Sequence, residues 1–351
     1  MLSHAAVDLK LLQSSADYRV CVDRFQSLRC KHFHQRRVHR PDGFRLEQFK
    51  PFWEFAGNRP IHGGALIAPN AIPSWIRSLR DPEAAWAAQR EWIVKAVGDH
   101  PQVTHWDVVN ELWPDSVRMR RVPWAKEHHG WWIDEAFKLA REANPNATLL
   151  IKDFRPIDTG RWRVLLHYVH TALDKGIPID GVAVQIHSVC YHNPAKAATY
   201  QYVLMRETEW IFKQVQKLGL KIVCDETIAW NLNKGGQLFE VDKFEEWQAK
   251  VYREWRQLCE AYGCEMFGVW CPTDQFFDTW HYTDRPVWID GQAYWRMEDI
   301  EADPELLKIW KEKEYQQPRK QVCTPGLWRG DWSGRPVMDV FEKLKMQPIA
   351  I

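Results

Sequence analysis

The sequence predicts an α/β chain closed into a (β/α)8, or TIM, barrel. Three observations predict it: eight short apolar runs, amphipathic stretches of helical period between them, and a length of 351 residues, which one barrel with insertions reaches. The runs are 4–7, 27–32, 60–67, 104–111, 148–154, 181–187, 221–226 and 265–270. Apolar runs this short, alternating with helices, suit strands of a parallel sheet covered on both faces. The clearest helical stretches are "PEAAWAAQREWIVKAVG" (82–98), "WWIDEAFKLAREA" (131–143) and "KFEEWQAKVYREWRQLCEAYG" (243–263). A doubly wound open sheet is the competing arrangement, but it usually carries a Gly-rich phosphate loop after an early strand, and none is present. With no repeat and no low-complexity linker, the expectation is one domain over 1–351.

The last unit departs from the pattern. Between "EMFGVW" (265–270) and a final helix expected at 335–345 lies an insertion at about 271–330, broken by Pro272, Pro286, Pro318 and Pro325 and enriched in Trp280, Trp288, Trp295 and Trp310. In a barrel such an insertion leaves the C-terminal ends of the strands, so it is expected to wall the active site.

Composition narrows the function. The 47 basic and 46 acidic residues nearly cancel, which gives no reason to expect nucleic acid or a membrane as partner. The 21 tryptophans supply either a Trp-rich core or flat faces for sugar rings. The eight cysteines (Cys21, Cys30, Cys190, Cys224, Cys259, Cys264, Cys271, Cys323) show no CxxC pair and no zinc-like spacing, so they read as thiols. Residues 1–20 lack a basic stretch followed by a long apolar one, so the expectation is a soluble chain, either cytoplasmic or with its leader removed. No cofactor and no metal is expected, and the chain is expected to be a monomer.

The stretch "THWDVVNELWPD" (104–115) begins as a buried strand and ends on Asn110, Glu111 and a Trp-Pro pair. Polar residues at the C-terminal ends of barrel strands do the chemistry, and Glu111 ends the fourth run as Glu226 ends the seventh, "KIVCDE". Two glutamates across a barrel mouth suit a general acid/base and a nucleophile, the arrangement of retaining glycosidases. An Asn-Glu pair alone is a weak signal, since most are surface residues.

With these residues in place, the chain resembles the family-10 glycoside hydrolases, the β-1,4-xylanase family of retaining (β/α)8 enzymes. "HAAVDLKLLQSSADYRVCVDRFQSL" (4–28) is similar to that family's first strand and helix. "HWDVVNE" (105–111) resembles its acid/base motif, which implies Glu111 as general acid/base and Asn110 as a contact to the sugar 2-hydroxyl. "GVAVQIH" (181–187) resembles its Gln-x-His strand and implies Gln185 and His187 at the site; a lone His is otherwise more often a satisfied core residue. "GLKIVCDET" (219–227) resembles the strand that carries the nucleophile, here Glu226, and "VWCPTD" (269–274) implies that Trp270 stacks near the reacting ring. "PSW" (73–75) keeps the alignment and adds Trp75 to the expected substrate contacts.

The departures are also specific. "KHFHQR" (31–36) puts His32 and Gln35 where the family binds sugar with Asn and Lys, and "HGGALIAP" (62–69) puts Gly64, Ala68 and Pro69 where two histidines and a tryptophan would stand. The Asp two residues beyond the family's nucleophile is Ile228 here, and the usual Asn-Asp-Tyr after the fifth strand is replaced around Lys152 and Asp153, whose role stays open. Strand alternation turns Asp225 away from Glu226, which reads as structural. The run "KHFHQRRVHR" (31–40) has three readings: a metal site at His32, His34 and His39, a solvated basic loop, or a subsite where His32 and Arg36 meet an acidic substituent. The resemblance implies a polysaccharide or oligosaccharide substrate: a β-1,4-linked, xylan-like chain, acidic or decorated chains included. A different retaining β-glycosidase with the same carboxylate pair, or a non-catalytic glycan-binding barrel, is the alternative.

Overall fold

A computed structural model describes residues 1–113, 119–125, 130–189, 194–230, 241–274, 281–289, 292–296, 303–312, 319–320, 326–329 and 333–342. Eight strands close into a parallel barrel: β1 (Leu2–Val7), β2 (Ser27–Cys30), β3 (Ile61–Ile67), β4 (Val103–Asn110), β5 (Thr148–Phe154), β6 (Gly181–Val189), β7 (Lys221–Trp230) and β8 (Met266–Val269). Each strand pairs with the next in sequence, and β8 closes on β1 with Leu2 opposite Met266. Closure in sequence order is the result that the alternation of apolar runs and helices predicts.

The helices carry their own start signals. Asp81 accepts from the Glu83 N–H at 3.0 Å with Pro82 in the first turn of the helix Pro82–Gly98, and Asp158 accepts from the Arg161 N–H at 3.3 Å in the helix Thr159–Asp174. Asp8 caps the helix Leu9–Ser14 through the N–H groups of Lys10 and Leu11. Trp92, Trp106, Trp132, Trp162 and Trp255 are fully buried, so much of the tryptophan enrichment belongs to the core between barrel and helices. Cys21, Cys30, Cys224, Cys259, Cys264 and Cys271 are buried, while Cys190 and Cys323 lie outside the described residues.

Several boundaries differ from the sequence expectation, and one difference matters chemically. β7 runs on to Trp230, so Glu226 lies inside the strand rather than at its end. β7 also carries one extra residue against both neighbours. Ala183 and Gln185 of β6 face Val223 and Glu226, while Phe267 and Val269 of β8 face Cys224 and Thr227. A bulge of this kind breaks strict alternation. Asp225 therefore does not point away from the barrel as expected; it is buried inside, next to Glu226. β2 is shorter than expected, ending at Cys30, and Lys31 and His32 begin the following turn. The helix expected at 335–345 is described as Met338–Glu342, and 343–345 lie outside the described residues.

Within the insertion, His281–Ile289 pairs antiparallel with Gln292–Arg296 and with Arg319–Lys320, and the helix Pro304–Glu312 follows Asp303. Asp303 accepts from both the N–H and the hydroxyl of Ser74, which ties this segment to the region after β3. Residues 275–280, 290–291, 297–302, 313–318, 321–325 and 330, including Trp280, Pro318 and Pro325, lie outside the described residues.

The barrel interior is layered. Its lower layer is apolar, made by Leu150, Ala183, Val223 and Met266 with Leu2 against them. Two residues further along three of these strands come His4, Lys152 and Asp225, and the layer they form is charged. Gly268 makes room for it, since a Cβ there would stand 2.5 Å from the Asp225 carbonyl and 2.7 Å from the His4 ring.

Candidate active site

The upper end of the barrel gathers most of the expected residues. Asn110 is the last residue of β4, and Glu111 leaves the strand with φ 55°, in the left-handed region. For a residue with a Cβ this conformation carries strain and is held by its surroundings. One hold is direct: the Glu111 N–H donates to the Lys152 carbonyl at 3.1 Å. Gln185 Nε2 donates to Asn110 Oδ1 at 3.2 Å and to Glu111 Oε1 at 3.3 Å, and Gln185 is the register partner of Glu226. The amide thus joins the two sides of the site. His187 Nε2 lies 3.3 Å from Glu226 Oε1.

Below the glutamates sits a charged cluster that sequence reasoning missed apart from Asp225, read as structural, and Lys152, whose role it left open. Lys152 Nζ lies 2.8 Å from Asp225 Oδ2, 3.2 Å from Glu226 Oε2 and 3.4 Å from Asp107 Oδ2. Arg29 donates to Asp107 Oδ2 at 2.7 Å, to the Gly64 carbonyl at 3.1 Å and to Asp225. His62 Nε2 lies 2.7 Å from Asp107 Oδ1, and His4 Nδ1 lies 2.9 Å from the Ser27 hydroxyl. All of these are buried, so the ion pairs stand in a medium where an unpaired charge is costly. A charged residue at an inward barrel position, such as Arg29 in "SLRC" or Asp107 in "HWDVV", was the available signal.

The cluster sets the ionisation of its members. Burial pushes Glu226 up, but Lys152 and then His187 outweigh it and hold the carboxyl below the usual range. Burial is likewise overcome at Asp107, by His62, Lys152 and Arg29, and at Asp225, by Lys152, His62 and Arg29; both carboxyls stay low. Burial depresses His62 and His4, against the pull of Asp107 on the first and of Asp225 on the second. At Lys152 burial and Arg29 act downward, yet Asp107, Asp225 and Glu226 prevail, so the amine is an ammonium. Asp153 faces outward instead, where burial raises it to about 8 against the pull of Arg161.

Trp270 is half-buried, its backbone N–H donating to the Thr227 carbonyl at 3.2 Å, and the Arg29 guanidinium stands 5.7 Å from its ring centre. That places Trp270 against the charged cluster through Arg29. Trp75 is placed differently: its indole N–H donates to the His39 carbonyl at 3.1 Å and its ring meets His39 edge-on, so its described contacts lie with the hairpin His39–Arg40/Gly43–Phe44 and not with either glutamate.

The basic run 31–40 is not a solvated loop. Lys31, His32, Gln35, Arg36, Val38 and His39 are buried. Lys31 Nζ lies 3.2 Å and His32 Nε2 3.7 Å from Asp8 Oδ2, so the helix-capping carboxylate also anchors this turn. Arg36 donates to the Asn70 carbonyl at 2.9 Å, and Arg77 to the Pro69 carbonyl. The histidines have separate surroundings, His32 beside Asp8 and His39 stacked on Phe44 at 4.3 Å. The substituted glycone positions are built into this frame: Gly64 has φ 112°, and a Cβ there would stand 2.7 Å from the Asp107 carbonyl. Only glycine suits that place.

Comparison with known proteins agrees with the geometry. A family model described as "Glycosyl hydrolase family 10" matches residues 5–297. Endo-1,4-beta-xylanase B of Thermotoga neapolitana is 26% identical over 235 residues, 66% of this chain and 61% of that protein. Beta-1,4-xylanase of Dictyoglomus thermophilum is 28% identical over 233 residues, 63% of this chain and 62% of that protein. The chain thus spans about three-fifths of the length of these curated relatives. Among solved structures, a GH10 endoxylanase from a sugarcane soil metagenome superposes with a TM-score of 0.76 at 18% identity, covering 98% of this chain and 96% of that one. Xylanase 10B from Thermotoga maritima gives 0.71 at 19% identity, over 98% and 94%. With the family model spanning the barrel from β1 past β8, the chain belongs to glycosyl hydrolase family 10.

Proposed function

We propose that the chain is a retaining glycoside hydrolase that cleaves β-1,4-linked, xylan-like glycan within the chain, with Glu226 as nucleophile and Glu111 as general acid/base. The observation that carries this reading is the unequal wiring of the two carboxylates. Glu226 touches Lys152 and His187, whereas the described contact of the Glu111 carboxylate is the neutral amide of Gln185. Two titratable groups whose environments differ in this way are suited to divide acid and nucleophile between them.

In the first step a Glu226 oxygen attacks the anomeric carbon while the glycosidic C–O bond breaks and Glu111 gives its proton to the leaving oxygen. In the second step Glu111 takes a proton from water, the water oxygen bonds to the anomeric carbon, and the ester bond to Glu226 breaks. In this reading Asn110, bonded to Gln185, takes the 2-hydroxyl of the reacting sugar, and Trp270, beside Arg29, takes its face. The proposal includes one domain over 1–351, the insertion at 271–330 walling the site, and a monomer. Among the described residues no helix is long and apolar enough to cross a membrane.

A different retaining β-glycosidase is the second reading, favoured by the rebuilt frame at Gly64, Ala68 and Pro69, where Arg29 holds the Gly64 carbonyl. A panel of β-glycans with product analysis decides between them. Cleavage of xylan-type chains to oligosaccharides, lost in Glu226→Gln, supports the proposal; no cleavage of any β-1,4-glycan by the unmodified protein overturns it.

A further inference from the structure

The resemblance leads one to expect an acidic residue two places beyond Glu226, and Ile228 stands there, buried and in register with His187. An apolar side chain at that place offers no charge to the histidine or to the glutamate beside it. The charge comes instead from β5, where Lys152 lies within 3.4 Å of three carboxylates. Resting on the reading of Glu226 as nucleophile, we propose that Lys152 is its positioning residue: the ammonium fixes Oε2 of Glu226, and Asp225 and Asp107, themselves held by Arg29, form a frame that keeps the ammonium there.

The geometry divides the two oxygens of Glu226. Lys152 stands at Oε2 and His187 at Oε1, so the carboxylate is held from two strands in one orientation. A carboxylate oxygen has two lone pairs, so each retains one for the anomeric carbon. The frame explains why a lysine can serve here without paying for isolation in the barrel. When Glu226 is esterified its charge is gone, and Lys152 still faces Asp225 at 2.8 Å and Asp107 at 3.4 Å. When the ester breaks, the ammonium receives the carboxylate that is released. Lys152 therefore favours the ionised form of Glu226 both against protonation at acid pH and as the leaving group of the second step. Since Lys152 is fully protonated within this frame, it is not placed to act as an amine nucleophile.

The charged and titratable groups that face this pair come from every neighbouring strand. They are Arg29 on β2, His62 on β3, Asp107 on β4, His187 on β6 and Asp225 on β7, with His4 on β1 touching the His62 ring at 5.7 Å between centres. Asp225 and Asp107 oppose ionisation of Glu226, and Lys152, His187 and Arg29 favour it. Of these, the charge of Lys152 is the largest single influence on Glu226, and His187 acts through both a hydrogen bond and its charge.

The test is the acid limb of the kcat/KM profile of the full chain, measured for Lys152→Met and for the double variant Lys152→Met/Asp225→Asn. The double variant removes one charge of each sign and keeps the core balanced, so it remains folded if the single variant does not. Removal of an opposite charge at this range moves a carboxyl by about 1–3 pH units, so the acid limb of Lys152→Met is expected to shift upward by that amount, and that of the double variant upward by less, because Asp225 acts on Glu226 in the opposite sense and more weakly than Lys152. The 2-deoxy-2-fluoro glycosyl ester on Glu226 is expected to hydrolyse more slowly than in the unmodified protein. An acid limb that stays in place in a folded variant, with activity lowered equally at all pH values, overturns the proposal and leaves Lys152 a structural residue. A measurement without substitutions is independent of folding: in the unmodified protein the Lys152 ammonium nitrogen resonance is expected to move when the fluoroglycosyl ester forms, and an unmoved resonance overturns the contact. Failure of the ester to form on Glu226 in the unmodified, glycan-cleaving protein counts against the nucleophile itself, which separates the two readings.

Discussion

Asp225 and Glu226 are consecutive residues of one strand, and both turn into the barrel onto the same ammonium, at 2.8 Å and 3.2 Å from Lys152 Nζ. The extra residue of β7 makes this possible, and it places a buried structural carboxylate directly beneath the proposed nucleophile. The two acids are therefore expected to respond differently to substitution.

Glu226→Gln is expected to abolish turnover with the fold intact. Glu111→Ala is expected to slow natural glycans by about 10²–10⁴-fold, the usual contribution of a general acid, while largely sparing the first step on substrates with very good leaving groups. Azide should restore part of the rate by replacing water in the second step. Steady-state kinetics on activated and unactivated glycosides checks this: an equal loss on both classes removes Glu111 from the acid/base role.

Arg29 has no such direct part, and its loss should appear in stability. It holds Asp107, Asp225 and the Gly64 carbonyl from a fully buried position. Arg29→Met leaves those carboxylates with less compensation, and removing one partner of a buried pair costs about 3–5 kcal/mol. Denaturant titration at neutral pH measures it, and a change under about 1 kcal/mol, the range of an exposed pair, would contradict the buried network.

Asp153 gives a stability signature that depends on pH. Its carboxyl is raised to about 8 in the fold, so the native state holds a proton that the unfolded chain releases above about pH 4. Sign follows from linkage: the contribution of this group is fully present below about pH 4 and is lost as pH rises toward 8. Asp153→Asn has no such loss. The stability of the variant relative to the unmodified protein is expected to rise between those limits by up to about 1.4 kcal/mol per pH unit and to level off above pH 8. Denaturation curves at pH 5, 7 and 9, values chosen to bracket about 4–8, check it; a difference independent of pH would show that Asp153 is ionised throughout.

The basic turn after β2 carries a prediction on specificity. Positions 64, 68 and 69 hold Gly, Ala and Pro where the resemblance leads one to expect sugar-binding side chains, and each hydrogen bond lost from a neutral ring is worth about 0.5–1.5 kcal/mol. Plain xylo-oligosaccharides are thus expected to be poorer substrates than chains bearing uronate groups. Arg36→Ala is expected to destabilise the fold by about 1–3 kcal/mol, because it leaves the Asn70 carbonyl without this donor. Arg37→Ala, on the half-buried side of the same turn, is the sharper probe: it should lower kcat/KM on glucuronate-bearing chains more than on neutral ones. An equal effect on both would take the turn out of substrate recognition.

The barrel was legible because its signal is periodic: short apolar runs and helical stretches alternate with little interruption, and Glu111, Glu226, Asn110, Gln185, His187 and Trp270 stand near the upper ends of those runs. The side to which Asp225 points was not, because a bulge is one inserted residue and leaves the apolar pattern of "KIVCDETIAW" unchanged. The charges of 31–40 resemble a solvated surface in sequence, since what holds them, Asp8 and the carbonyl of Asn70, lies well away along the chain. Lys152 was opaque for the same reason, its partners coming from β4 and β7.

The most direct test of the account is the stereochemistry of cleavage. Proton NMR of the first products released from a β-1,4-linked xylan-type chain by the unmodified protein is expected to show the β-anomer first, with the α-anomer growing in only as mutarotation proceeds. Early appearance of the α-anomer would contradict a covalent intermediate on Glu226 and with it the division of roles between Glu226 and Glu111.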